Sequence, residues 1–298
     1  MKQFTIAVFC FAGAFAPPAT AQRSVVSATP GFTYTLTVSG DSPSMPQGVT
    51  GGAGSQGYIA KAAVLGARGR MDIVEGGIPE LFAKGDYLLF DSTEVVVVHP
   101  SAQQFVLLTQ QAMNAGGQLD TTAFSMKMSD EKVLLDSIGP GDTISTFPTT
   151  RYRLTIAFNM ELSVASMAMR VGSEAITDYW VATIPGMAPN PLLRSNGMNT
   201  GKAGVPGMMH AFSLRVDSAS SRMGRTIVLR STSKTRINPG AGRATASHTG
   251  AVVSDVRRAP VDKNSLIVPI QYNVLPLPGL PADSLGDGAK WKVPPPGE

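Results

Sequence analysis

"RYRLTIAFNMELSV", Arg151–Val164, decides the fold. Tyr152, Leu154, Ile156, Phe158, Met160, Leu162 and Val164 fall at every second position, with Arg151, Arg153, Thr155, Asn159, Glu161 and Ser163 between them. A strand sends successive side chains to opposite faces, whereas a helix would scatter both sets around its circumference. The stretch is a long strand with one apolar and one polar face. Past Ala165 the apolar set moves to Met167, Met169 and Val171, and a phase change of one residue predicts a bulge or bend.

The same alternation recurs outward from this point. Phe32, Tyr34, Leu36 and Val38 alternate with Thr33, Thr35, Thr37 and Ser39. Further strands are expected at 57–65, 67–75, 86–91, 94–99, 103–109, 175–184, 226–237, 250–257 and 266–272. "KGDYLLFDSTEVVVVHPSAQQFVLL", Lys84–Leu108, departs from alternation: Tyr87–Phe90 and Val95–Val98 are apolar at consecutive positions. Such strands are covered on both faces. Tight hairpins are expected around 91–93 and 100–101. Helix signals are sparse. Asp120–Met128 and Ser129–Ser137 each suit a short helix, the second with Ser129 as cap before Asp130 and Glu131, and Val205–Asp217 is a weaker candidate. The expected fold class is mainly β (α+β): a single curved antiparallel sheet, an unclosed half-barrel, with one or two covering helices.

Residues 1–21 read as a secretory signal peptide: Lys2, an apolar core Phe4–Ala16, and a small-x-small site at Ala19-Thr20-Ala21. An apolar run of roughly 13 residues falls short of the about 20 that span a bilayer, and no later run reaches that length. The expected mature chain begins at Gln22, is exported to the periplasm or outside the cell, and carries no transmembrane segment; an uncleaved anchor is the alternative. Cys10, the one cysteine, lies inside the leader, so the mature chain has no disulfide and no thiolate ligand. Gly40–Gln56 and Pro185–Gly204 are Gly- and Pro-rich loops within a domain spanning 22–277, and 278–298 is a Pro-rich tail expected to be disordered.

Charge excludes one class. Charged residues make up 15% of the chain and the formal net charge is +4, with arginines in scattered small groups such as Arg151/Arg153 and Arg257/Arg258. A nucleic-acid binder would carry a denser basic stripe, so no nucleic-acid partner is expected. "TVSGDSPS", Thr37–Ser44, has the Gly-Asp-Ser of the GDSL esterases. That chemistry needs a histidine to take the serine proton and an acid to orient it. In that family they come as Asp-x-x-His, and Val96, Gly207 and Thr245 stand three residues before His99, His210 and His248. The hydrolase reading is therefore unlike the rest of the chain, and the protein is expected not to be an enzyme. Met126/Met128 and Met167/Met169 could offer thioether pairs to Cu(I). Met160, Met167 and Met169 keep phase with apolar neighbours, which suits packing, and neither a metal nor a cofactor is expected.

Four blocks, in order, resemble a known family. "ARGRMDIVEGG" (67–77) looks like an early strand pair, "GDYLLFDSTEVVVVHPSAQQFVLL" (85–108) a following hairpin, "DYWVAT" (178–183) a strand with a central tryptophan, and "VDKNSLIVPIQYNVLPLP" (261–278) a closing strand. Together they resemble domain-of-unknown-function family 4412, exported bacterial half-barrels similar in fold to the outer-membrane lipoprotein carriers LolA and LolB. The resemblance covers most of 32–277; Ile267 stands where an aromatic is common, and the insert at 185–204 is long. It implies binding of a hydrophobic or lipidic ligand, or of an acylated partner protein, inside the half-barrel. The candidate ligand-contacting residues on the concave face are Tyr152, Leu154, Ile156, Phe158, Met160 and Leu162, with Trp180 added from the tryptophan strand. A structural or interaction protein with a solid core remains the alternative.

Overall fold

Alternation at Arg151–Val164 builds one long strand of the wall, next to the sheet's edge. The computed structural model describes residues 29–41, 57–78, 81–91, 94–108, 124–164, 167–187, 189–190, 193, 208–240, 242–275 and 288–293. Its strands are β1 (Thr29–Asp41), β2 (Tyr58–Leu65), β3 (Arg68–Ile78), β4 (Phe82–Ala83), β5 (Tyr87–Phe90), β6 (Val95–His99) and β7 (Gln104–Leu108). They continue as β8 (Phe124–Pro140), β9 (Thr150–Val164), β10 (Met167–Ala182), β11 (Ile227–Pro239), β12 (Thr245–Val261) and β13 (Asn273–Leu275), with one α-helix element among the described residues, α1 (Met208–Ser221), between β10 and β11. The protein is mainly β, one large curved sheet in the order β13-β7-β6-β5-β3-β2-β1-β12-β11-β10-β9-β8, with β4 attached to β3. All neighbours are antiparallel except β13 and β7. β13 and β8 stand at opposite edges, so the sheet is an unclosed half-barrel.

Register sorts the side chains into two faces. Tyr152 pairs with Tyr179, Leu154 with Thr177 and Ile156 with Ala175 across β9 and β10, and Leu135 pairs with Leu154 across β8 and β9. Leu36, Ala60, Val64, Met71, Ile73, Leu154, Ile156 and Tyr179 are buried on the concave side. The polar partners in the alternation, among them Arg151, Arg153 and Asp178, take the convex side.

Several expectations are corrected. The helices expected at Asp120–Met128 and Ser129–Ser137 are instead strand from Phe124 onward, in β8, and 120–123 lie outside the described residues. A register shift between Ser129 and Lys132 explains the misreading. Met128 and Val133 have opposite parity, yet they pair with Met160 and Ile156 on one face of β9. The bulge breaks the period-two pattern, Asp130 takes a positive φ of 54° within it, and Asn159 Nδ2 donates to Asp130 Oδ2 at 2.7 Å. The phase change past Ala165 is a chain reversal, since Val164 pairs with Met167. The expected strand at 266–272 is instead a 3-10 turn at Lys263–Leu266, whose Asp262 carboxylate accepts from Asn264 N, followed by non-sheet chain to β13. Pro269 lacks the amide that a ladder needs. The weak helix at 205–217 is α1, starting at Met208 and ending at Ser221.

The two loop segments and the tail fare differently. Most of the loop at 40–56 lies outside the described residues. The insert at 185–204, expected as linker, sends Met187, Asn190 and Leu193 into the concave core beside Ile184. Asn190 Nδ2 donates to Tyr34 Oη at 3.1 Å and approaches Met71 Sδ at 3.2 Å, which satisfies a polar group that burial would otherwise penalise. Within the tail at 278–298, expected to be disordered, Gly288–Lys292 is a 3-10 turn with Trp291 fully buried, and the rest of the tail apart from Val293 lies outside the described residues. Trp291 packs on the convex face of β5–β7 with Tyr87, Leu89, Val96, Val98, Phe105, Leu107 and Val268. Leu88, Phe90, Val95, Val97, Val106 and Leu108 point the other way, into the main core. The consecutive apolar runs at 87–90 and 95–98 are thus buried between two layers of the protein's own chain. Gly69 on β3 belongs to this packing, because a Cβ there would overlap the Phe90 ring.

Candidate functional site

The residues expected to contact a ligand divide into four groups. Leu154 and Ile156 are buried on the concave wall at 1% and 3% exposure, enclosed by other side chains. Tyr152, Phe158 and Met160 are half-buried on that face. Phe158 meets Phe212 of α1 edge-on, with centroids 5.4 Å apart at 72°, so the helix covers this end of the wall. Leu162 pairs with Met169 in the ladder, and its side chain lies outside the described residues. Trp180 is not on the concave face. It pairs with Arg151 on the convex side, while its neighbours Tyr179 and Val181 point inward; there its ring lies 5.0 Å from the Arg151 guanidinium and 5.2 Å from that of Arg230. Parity alone explains the correction, since an even-numbered residue of β10 cannot share a face with Tyr179. Met169, expected to pack, is 54% exposed, and the side chain of Met167 lies outside the described residues.

Where the concave wall is filled, a cavity opens at its rim. It encloses about 390 Å³ between the start of β1, the β2–β3 turn, the end of β12 and the chain after β10. Pro30, Gly31, Phe32, Leu65, Pro185 and Gly186 supply apolar or side-chain-free lining, and Arg68, Arg258 and Lys263 supply positive charge. Arg258 also reaches over the Phe32 ring, 5.4 Å from its centroid. Gly31 is needed for the close approach of strands here: a Cβ would overlap Val64 O and the Val261 side chain. The one carboxylate in the lining, Asp91, accepts from Lys290 Nζ at 3.0 Å. Burial works against the Lys290 ammonium, but Glu94 and Asp91 outweigh it and raise its pKa above the ordinary lysine value.

Arg68 joins this rim to the C-terminal turn. Its Nη1 and Nη2 donate to the carbonyls of Val293 and Lys290 at 2.8 and 3.0 Å, and its guanidinium lies 5.0 Å from the Trp291 ring centroid. Trp291 Nε1 donates to Glu94 Oε2 at 3.1 Å. Nearby, Arg70 sits over the Tyr87 ring at 3.7 Å; burial pushes the Tyr87 phenol up to about 12 against the opposing Arg70 charge. Burial likewise raises Tyr34 and Tyr179, so these phenols remain neutral hydrogen-bonding groups.

The rim cations come from two distant stretches, at 68 and at 258–263. No local motif joins them, and Arg258 read only as one of a small scattered group. The acid–base candidates stay apart. His99 Nδ1 lies 3.1 Å from Asp86 Oδ2 at the β6 end. The Gly-Asp-Ser turn ends outside the described residues at Ser42, and the side chain of His210 lies outside them too. Among the described residues no three His, Cys, Asp or Glu side chains group as a metal site. No family model matches the chain, and no curated protein matches it significantly.

Proposed function

We propose that the protein binds an amphiphilic ligand, a lipid or the acyl chain of an acylated partner, with its anionic end at the rim cavity. In this reading it acts without chemical turnover in the cell envelope after export. The observation that carries it is the pairing of an apolar floor at Phe32 and Leu65 with Arg68, Arg258 and Lys263 around the opening. A volume of about 390 Å³ falls within the range of small-ligand sites. The related resemblance to half-barrel carriers supports a lipidic ligand, and the filled wall at Leu154 and Ile156 favours the rim over the deep concave face. No helix among the described residues is long and apolar enough to cross a membrane.

The test is displacement of a fluorescent fatty acid from the purified protein, with native mass spectrometry for co-purifying lipid. Arg258→Glu is expected to weaken binding about tenfold or more, by reversing one of the rim charges, and a neutral monoacylglycerol should compete more weakly than the free acid. Arg258 is exposed, so this change should leave folding intact. A folded wild-type protein that takes up no acyl probe and carries no lipid would overturn the reading. The filled interior, with Asn190 hydrogen-bonded inside it, would then favour the interaction protein with a solid core.

A further inference from the structure

The convex side of the same wall carries a second concavity. A groove of about 480 Å³ crosses β10, β11, β12 and β1. Arg153, Asp178, Thr232, Lys234, His248 and Ser39 line it. Register places these side chains together: Arg153 stands opposite Asp178, Asp178 opposite Thr232, and Lys234 opposite His248. Thr232 and Ser39 flank Gly250 from the two neighbouring strands. Gly250 has no positive φ to require a glycine, yet a Cβ there would stand 3.3 Å from Ser39 Oγ and 3.8 Å from Ser231 O. Its missing side chain leaves the floor of the groove open.

Among the described residues the charge in this groove is net positive. Asp178 accepts from Arg151 Nη2 at 2.6 Å and from Arg153 Nε and Nη2 at 2.7 and 3.0 Å. Two arginines on one carboxylate leave a net positive charge, and Lys234 adds another. Among the described residues neither Lys234 nor His248 forms an ion pair. Hydroxyls of Ser39 and Thr232 supply neutral donors beside these cations. Several donors around an open floor, with the one carboxylate among the described lining residues already engaged by two arginines, suit a ligand that is rich in acceptor oxygens and negatively charged.

We propose that this groove binds a phosphate-type oxyanion, carried either by a soluble phosphate compound or by the headgroup of an anionic lipid. The inference does not rest on the acyl site. The two lie at opposite ends of β1, where Gly31 and Ser39 are about 26 Å apart at strand rise, and Phe32 and Ser39 face opposite sides of the sheet.

Two binding arms test it on the full chain at low ionic strength: calorimetric titration with inorganic phosphate, and co-sedimentation with phosphatidylglycerol vesicles against phosphatidylcholine vesicles. Binding in at least one arm is expected; phosphate binding assigns the soluble source, and vesicle binding alone assigns the headgroup. Lys234→Gln should weaken it about tenfold, and Gly250→Val should do the same by filling the floor without touching a charge. Arg170→Gln, at a residue 78% exposed elsewhere on the sheet, should leave it unchanged. Thermal unfolding verifies that each variant is folded, and the exposed Lys234 site carries the test if Gly250→Val is not. Absence of binding in both arms overturns the proposal. So does equal weakening by Arg170→Gln and Lys234→Gln, because diffuse attraction of the whole surface would then account for it. Acyl-probe binding at the rim should be unaffected by Lys234→Gln, which separates failure of this groove from failure of the acyl site.

Discussion

β5–β7 and β9–β12 belong to one sheet but are stabilised in different ways. In β5–β7 every residue of Tyr87–Phe90 and Val95–Val98 is buried. One face enters the main core, and the other lies under Val268 and Trp291, which arrive from more than 150 residues further along the chain. In β9–β12 only the concave face is buried, and the convex face is held by ion pairs such as Arg151–Asp178 and Arg230–Asp142. Burial of apolar area contributes far more per residue than half-exposed charge pairs do. Two-sided strands should therefore be the stability-determining part of the sheet, and the convex face of the wall the part free to vary for binding.

The sharpest way to break this comparison is Trp291→Ala. It removes the largest fully buried side chain from the cover of β5–β7 and should cost about 3–5 kcal/mol, measured by chemical denaturation. A loss under about 1 kcal/mol would show that the C-terminal turn does not seal the second face. Next in size is a pair of changes on one strand. Leu154→Ala, at 1% exposure, should cost about 2–5 kcal/mol, whereas its convex-facing neighbour Thr155→Ala should stay within about 0.5 kcal/mol. Equal effects would contradict the one-sided burial of the wall.

Among the changes expected to destabilise, Asp178→Asn has the smallest effect, and it adds a pH signature. The Arg153 hydrogen bond, acting against burial, and then Arg151, hold the Asp178 pKa below the ordinary aspartate value. A depressed folded pKa stabilises the fold above the unfolded pKa of about 3.9 and loses that contribution as pH falls through the folded value. At neutral pH the variant should lose about 1–2 kcal/mol, reduced from a fully buried pair because Arg153 is 41% exposed. Denaturation curves of variant and wild type should converge as pH falls through the depressed folded value of Asp178; a gap that persists in acid would assign the loss to packing.

Parity made much of this legible. The alternation at 151–164 placed Leu154 and Ile156 on the concave face and Arg151 and Arg153 on the convex one, as register shows. It failed where a bulge shifted the phase in β8, so that Asp130 and Glu131 read as a helix start. It also failed where a residue was chosen by type and not by parity, as with Trp180. The rim cavity was not legible, because Arg68 is distant in the chain from Arg258 and Lys263, and they become neighbours only when β1 pairs with both β2 and β12.

By itself the sequence determined the local choices: strands over helices, which face of β9 is apolar, and that Tyr87–Phe90 and Val95–Val98 must be covered twice. These follow from side-chain spacing and from the free energy of burying apolar surface, which each segment carries on its own. Only the tertiary structure decided what provides the cover and where charges gather. Trp291 seals β5–β7, the segment after Pro185 fills the concave side through Asn190 and Leu193, and register brings Lys234 beside His248. Those outcomes depend on which strands pair and in what register, and contacts between residues far apart in the chain leave no periodicity along it.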